Sequence, residues 1–589
     1  MNSSTVFIGM LITFVLVAAV MGIVNKKRFR RYLRGRFAGQ FGQIPDKQIR
    51  PERFSHIGGY LRAHTSPFGI DDITWNDLDM DLVYKRIDQT QSAAGEEYLY
   101  YLLHTPAQAG EHLTLDAALP DAFSRKENEE ARLSIQEILY RLGSTGDFSL
   151  YDYLDLLDTL EGRRNLIHIL ALVLPFFAVA SMYFSTQVGI VLLIFVICWN
   201  ISTYFREKRK IDPFLISFKY LLRLLTCAEE IAGVKTDDPA LKNEQAKLRS
   251  LAGALRGFKA GSAITMSSSA YTGNPADVLM DYIRIIFHLD ILKFNQMYAS
   301  VKEHRNEFDK IITIVGRLDA AITAASFRRS LPHWCRPVFT DPAEPASEKP
   351  ELRIEGLFHP LLQDPVCNDI QTRRPVLLTG SNASGKSTFL KAVAICALLG
   401  QSIGICPAAV YEGEHFRIYS SMALRDSIES SESYFMVEIR SLKRILDAAT
   451  IGSGAHGSVL SEPDGNRTDD EQKAGRVLCF VDEVLRGTNT IERISASTEI
   501  MKTLSEAGAL LFAATHDIEL TRLLQESFDN YHFEEELTGG DVHFSYEIKR
   551  GPATTRNAIR LLGDVGFAQS ITQKAQERAE TFERTGIWK

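Results

Sequence analysis

"GSNASGKS", Gly380–Ser387, decides how the C-terminal part of this chain folds. It fits the pattern GxxxxGK[ST], whose chemistry needs a strand before the loop and a helix after it. Both signals flank it: "RPVLL", Arg374–Leu378, is a short apolar strand pattern, and "TFLKAVAICALLG", Thr388–Gly400, repeats apolar residues at helical spacing. Gly380 and Gly385 let the backbone close around an anion, so that the loop residues Ser381, Ala383 and Ser384 and the first helical turn with Thr388 turn amide N–H groups toward phosphates. Lys386 is then expected on the β- and γ-phosphates of ATP, and the Ser387 hydroxyl on Mg²⁺.

Further along, "RVLCFVDE", Arg476–Glu483, reads as a buried strand ending in two carboxylates. Asp482 suits the Mg²⁺ shell. Glu483 suits the orientation or deprotonation of the attacking water, the one element that a phosphate cradle lacks. A third apolar strand, "ALLFAATHDIEL", Ala509–Leu520, puts His516 at its polar end, where it could sense the γ-phosphate. From about residue 350 onward strands alternate with helices, an α/β signature.

The whole-chain figures bound the alternatives. With 589 residues, 45% hydrophobic and 24% charged, the chain holds several domains of ordinary globular composition. A net charge of -7 excludes a uniformly basic surface, although not a local one. Seven cysteines are scattered, with no CxxC pair and no nearby histidine at ligand spacing, and read as reduced, mostly buried thiols of a cytosolic compartment.

Three apolar runs point elsewhere. Val6–Val24 is long enough to cross a bilayer, follows the uncharged "MNSS" and precedes the basic "NKKRFRRYLRGR", the pattern of an uncleaved anchor rather than a signal peptide. Leu166–Phe184 and Val188–Tyr204 form a second and third run, with Arg163 and Arg164 before them and "REKRK" after. All basic clusters fall on one face if the N-terminus is outside, so a multi-pass membrane protein with its large domains cytoplasmic is expected. The resulting division is a transmembrane anchor over 1–25, a cytoplasmic helical region over 26–163, a transmembrane hairpin over 164–205, a helical core or lever over 206–340, and an α/β ATPase domain over 350–589. "CRPVFTDPAEPASEKPELRIEG", Cys335–Gly356, marks the last boundary, and Gly452–Gly475 reads as a mobile surface insertion.

"TGSNASGKSTFLK", "VDEVLRGTNTIERISA" and "FAATHDIELT" together resemble the ATPase domain of MutS-type proteins, relatives of the ABC ATPases. "SESYFMVEI", Ser431–Ile439, resembles the family segment that completes a partner's ATP site, while Thr74–Pro106 and Arg317–Phe327 resemble the two ends of the MutS helical core. The resemblance implies a P-loop α/β ATPase domain behind an all-α core, working as a homodimer on ATP and Mg²⁺. It places Asn382 near the phosphates and Ser433 on the neighbouring subunit's γ-phosphate. DNA is the partner the family implies, without mismatch recognition, because no Phe-x-Glu wedge lies between the anchor and the core-like segment. Val366 stands where many relatives place an aromatic residue against adenine. The membrane runs add the lipid bilayer and a membrane-protein partner to the expectations. An ABC-type transporter half is the competing reading, opposed by only three spans and by the lack of LSGGQ; an ATP-switched scaffold acting on a protein partner is another.

Overall fold

The computed structural model describes residues 3–47, 51–64, 66, 68–113, 115–146, 148–158, 165–260, 282–340, 351–381, 384–422, 434–452, 475–538, 541–553, 559, 562 and 566–585. The chain forms two compact units. Unit 1 joins Met1–Thr65, Asp88–Tyr101 and Ala118–Phe327; unit 2 joins Ser66–Ile87, Leu102–Ala117 and Arg328–Lys589.

Unit 1 has no strand among its described residues. Its helices begin on local signals: Asp238 accepts from the amides of Ala240 and Leu241 at the head of the Pro239–Ala254 helix, with Pro239 at a position that needs no N–H. Buried charge in its core finds partners, as where Arg53, only 5% exposed, donates to Glu96 and Glu97 and where Asp319 accepts from the Gln91 and Ser92 amides. The helices Leu166–Ser181 and Thr186–Ile211 form a hairpin whose tight turn needs Gly189, because a Cβ there would sit 2.8 Å from the Met182 backbone. Asn200, polar within the apolar run, donates 2.8 Å bonds to the carbonyls of Ala171 and Ile286.

Of the three expected spans, one helix among the described residues, Thr186–Ile211, is long and apolar enough to cross a membrane. Leu166–Ser181 is apolar but has 16 residues, a length of about 24 Å at 1.5 Å per residue, short of the roughly 30 Å of a hydrocarbon layer. The third run, Val6–Val24, lies in the helix Ser3–Gln40; most of the side chains of its apolar half fall outside the described residues.

Unit 2 contains two sheets. The smaller has the order β1 (Val338–Phe339), β5 (Val410–Gly413), β2 (Leu352–Leu357), β3 (Asn368–Thr372). The larger runs β10 (Asp541–Arg550), β9 (Asp529–Thr538), β4 (Val376–Thr379), β8 (Leu510–Thr515), β7 (Arg476–Asp482), β6 (Phe416–Ser421). All of its pairings are parallel except that of β9 with β10. Strands buried on both faces read as unbroken apolar runs, which is why "VLCFV" and "LLFAA" are legible without alternation. In this register Thr379 pairs with Thr515 and Asp482 with Ala514, so the C-terminal ends of β4, β7 and β8 lie level. A ligand site at the carboxyl edge of such a sheet is the general rule.

Sequence analysis assigns residues 26–163 to one helical region, whereas Ser66–Ile87 and Leu102–Ala117 cluster with unit 2. The reason is hydrogen bonding at the edge strand β6. Asp77, 2% exposed, accepts from Ser420 Oγ at 2.7 Å and from the Met422 amide at 2.8 Å, and Thr74 Oγ1 accepts from the Ser420 amide at 3.1 Å. Positions 453–474 of the insertion expected over Gly452–Gly475, and 341–350 of the boundary segment Cys335–Gly356, lie outside the described residues.

Candidate nucleotide site

The loop after β4 begins at Gly380 with φ +144° and ends at Gly385 with φ +104°, both in the left-handed half of backbone space that glycine tolerates. Space requires glycine too: a Cβ at Gly380 would lie 3.0 Å from the Phe533 carbonyl oxygen, and one at Gly385 3.2 Å from the Tyr546 ring. Gly385 caps the helix Lys386–Ile403, which therefore points its N-terminus into the loop. Lys386 is 5% exposed, and its Nζ donates to the carbonyls of Gly380 at 2.8 Å and Ser381 at 2.7 Å. Ser384 Oγ also donates to the Ser381 carbonyl, at 2.8 Å.

Ser387 Oγ donates to Asp482 Oδ2 at 2.5 Å. Burial raises the Asp482 pKa, while the Ser387 hydroxyl pulls it back and the neighbouring Glu483 pushes it further up. Two hard oxygen donors at this spacing suit Mg²⁺, an ion that usually takes one or two protein ligands and completes its shell with water and phosphate oxygens. No cluster of three or more His, Cys, Asp or Glu side chains able to hold a metal occurs among the described residues.

Glu483 follows directly, with φ +55°, a conformation that costs a non-glycine residue on the order of 1–3 kcal/mol. Its amide donates to the Ala514 carbonyl at 2.9 Å, so the bend is tied to β8. One carboxylate oxygen lies 2.7 Å from His516 Nε2, the other 2.8 Å from Arg486 Nε.

These groups open on a cavity of about 550 Å³. Ser381, Gly385, Lys386, Ser387, Thr388, Asp482 and Glu483 line it, Gly380 and Ser384 shape the loop behind, and His516 reaches it through Glu483. Asn382, Ala383 and Ser433 lie outside the described residues. The opposite wall was not anticipated from sequence apart from Val366: it carries Phe358, His359, Phe533 and Tyr546. Burial, reinforced by the Lys391 charge, pushes His359 down to about 4, and its Nδ1 accepts from the Leu361 amide at 3.3 Å. No motif signals these wall residues, because they come from β9, β10 and the segment after β2. Arg486 carries a weak signal, three residues beyond Glu483 in "VDEVLRG".

The family model for MutS domain V matches residues 376–454 and 471–583, the stretch that contains the loop, β7, β8 and most of the cavity. Over 302 residues the chain is also 30% identical to the DNA mismatch repair protein MutS of Natronomonas pharaonis. The C-terminal stretch is MutS-related. That alignment covers 49% of this chain and 31% of the MutS relative, so the chain spans about a third of the length of the relative it matches. MutS domain V is an ATPase-type α/β domain, and the larger, mostly parallel sheet of unit 2 agrees with it. Phe358, His359 and Val366 precede the matched stretch, whereas Phe533 and Tyr546 lie within it, so only part of the wall opposite the loop comes from outside the MutS domain V match.

Proposed function

We propose that this chain is a Mg²⁺-dependent ATPase that binds and hydrolyses ATP at a composite site of a homodimer, using closure of that site to move its helical unit. The observation that carries the reading is the direct Ser387–Asp482 bond beside Glu483 and Lys386 in one cavity. Lys386 neutralises the β- and γ-phosphate oxygens and the helix N-terminus adds its dipole. Ser387 and Asp482 hold Mg²⁺, which when bound offsets charge on the phosphates. Glu483, steadied by His516 and Arg486, aligns a water for in-line attack and takes its proton. Asn382 joins the cradle, and Ser433 serves the neighbouring subunit's nucleotide. Steady-state ATP hydrolysis with Glu483→Gln as control tests this: turnover unaffected by that change would remove Glu483 from the chemistry.

Attachment to a membrane is supported by the hairpin of unit 1. Phe176, Phe177, Val191 and Phe195 are each more than 60% exposed, a run of large apolar side chains that suits lipid rather than water. In this reading the hairpin, together with the Val6–Val24 run, makes the protein multi-pass with unit 2 on the cytoplasmic face, together with the basic clusters after the first run, before the second and after the third. Flotation of the full chain with liposomes, compared with a chain lacking 166–211, tests it; equal recovery of both in the soluble fraction would sink membrane attachment by the hairpin. DNA as the partner gripped by the helical unit follows from relatedness to a DNA mismatch repair protein. Crosslinking in intact cells, with identification of both nucleic acid and membrane-protein partners, separates a DNA clamp from a switch acting on another protein.

A further inference from the structure

Glu438 has no role in the site as described so far, yet it is buried, charged and aimed at the turn that carries Glu483. It lies in the second turn of the helix Tyr434–Gly452 and is 4% exposed. The amide of Leu485 donates to Glu438 Oε1, and the amide of Arg486 also lies against this carboxylate. Those amides belong to a turn that is strained at two non-glycine residues, Glu483 at φ +55° and Leu485 at φ +56°. Such a conformation persists only where its surroundings over-determine it. Here the Glu483 amide is tied to Ala514, the Val484 carbonyl accepts from Ser497 Oγ at 3.4 Å, and the far side of the turn is held by Glu438. The same helix also packs on the turn through Phe435, whose ring would be 3.3 Å from a Cβ placed on Gly487. Burial raises the Glu438 pKa and the two amides lower it, the signature of a carboxylate whose solvent has been replaced by backbone donors.

We infer that Glu438 is a positioning residue for hydrolysis: it clamps the Leu485–Arg486 backbone and thereby fixes the aim of Glu483 and of the Arg486 side chain that holds it. The inference rests on the proposed role of Glu483 in ATP turnover. It makes the helix Tyr434–Gly452 and the water-activating carboxylate a single mechanical body. Nucleotide binding itself does not need the clamp, because Lys386, Ser387 and the glycine loop are anchored on β4 and their own helix.

The test is a kinetic cycle on the full-length protein with Glu438→Ala, the isosteric Glu438→Gln, Glu483→Gln and the double variant Glu438→Ala/Glu483→Gln. A misplacement of the base by about 1 Å is enough to lower turnover by roughly 10²-fold. Glu438→Ala is expected to lower kcat by about tenfold to a hundredfold, with ATP affinity changed less than about threefold, and Glu438→Gln by a smaller factor because one oxygen acceptor remains. The double variant should hydrolyse no more slowly than Glu483→Gln alone, since a group acting through Glu483 has nothing left to position. Glu438→Gln that folds as wild type and keeps full kcat, with Glu438→Ala equally active, overturns the inference. So does a loss in ATP affinity as large as the loss in kcat, or a double variant slower than Glu483→Gln by the full Glu438→Ala factor. Full turnover in Glu483→Gln itself would instead overturn the function on which the inference rests.

Discussion

His516 Nε2 and Glu483 Oε1 are 2.7 Å apart, while Arg486 Nε holds the second oxygen of the same carboxylate at 2.8 Å. The carboxylate is thus oriented from both sides before any substrate arrives. The two contacts differ in weight, because the Arg486 side chain is 63% exposed and the His516 side chain 35%, and solvent screening leaves exposed pairs worth about 0–1 kcal/mol. His516→Ala should lower kcat by about tenfold to a hundredfold, and Arg486→Ala by less than about fivefold, with ATP affinity nearly unchanged in both. Single-turnover hydrolysis at saturating ATP measures this, and equal effects of the two changes would contradict the ordering.

Lys386 Nζ is satisfied by the Gly380 and Ser381 carbonyls. These bonds pre-place the ammonium inside the loop, so the charge that meets the phosphates is already desolvated. Lys386→Ala should abolish detectable ATP binding in a fluorescent-nucleotide titration. A variant with ordinary affinity would show that the loop is not the triphosphate site.

Trapping ATP should strengthen association between copies of the chain. Glu483→Gln with ATP and Mg²⁺ is expected to double the mass seen in light scattering relative to the nucleotide-free protein, and adding Ser433→Ala should reverse that shift. If the mass stays constant across all three conditions, the role of Ser433 across a dimer is wrong.

His359 supplies a pH signature. Its pKa is about 4 in the folded chain against an ordinary 6.5, so as pH falls through that window the unfolded chain takes up a proton that the folded chain refuses. Stability from this group is present above about pH 6.5 and is lost progressively toward pH 4. His359→Gln should lose less stability than the wild type between those values in denaturant titrations. Parallel pH profiles for the two proteins would show that His359 is not buried as described.

Phosphate chemistry made half of the site legible. Gly380, Lys386 and Ser387 must be contiguous to wrap an anion, and Asp482, Glu483 and His516 must end strands that lie level with them, so sequence order alone arranges them. The other wall had no such constraint. Phe358, His359 and Tyr546 share a cavity only because β9 lies beside β4 and brings β10 with it, a pairing that no local pattern encodes. Glu438 carries no signal of its role in the sequence, since its partners are backbone amides 47 residues downstream. The apolar hairpin was legible as apolar, but the helix Leu166–Ser181 is shorter than the run that suggested it. Domain limits failed for a topological reason: the contacts that draw Thr74 and Asp77 to β6 span about 345 positions, as in the Asp77–Met422 bond.

That long-range stitching has a practical consequence for anyone cutting the gene. A fragment covering 350–589 looks like a self-sufficient catalytic piece, yet it discards Asp77 and Thr74 from the rim of β6, Asp71 from Arg444, and Asp79 from Lys391 on the helix that follows the glycine loop. What remains is an outermost strand stripped of its cover, the kind of raw edge that recruits other chains. Such a truncation should precipitate or form soluble clumps, and supplying residues 66–117 in the same polypeptide should cure it.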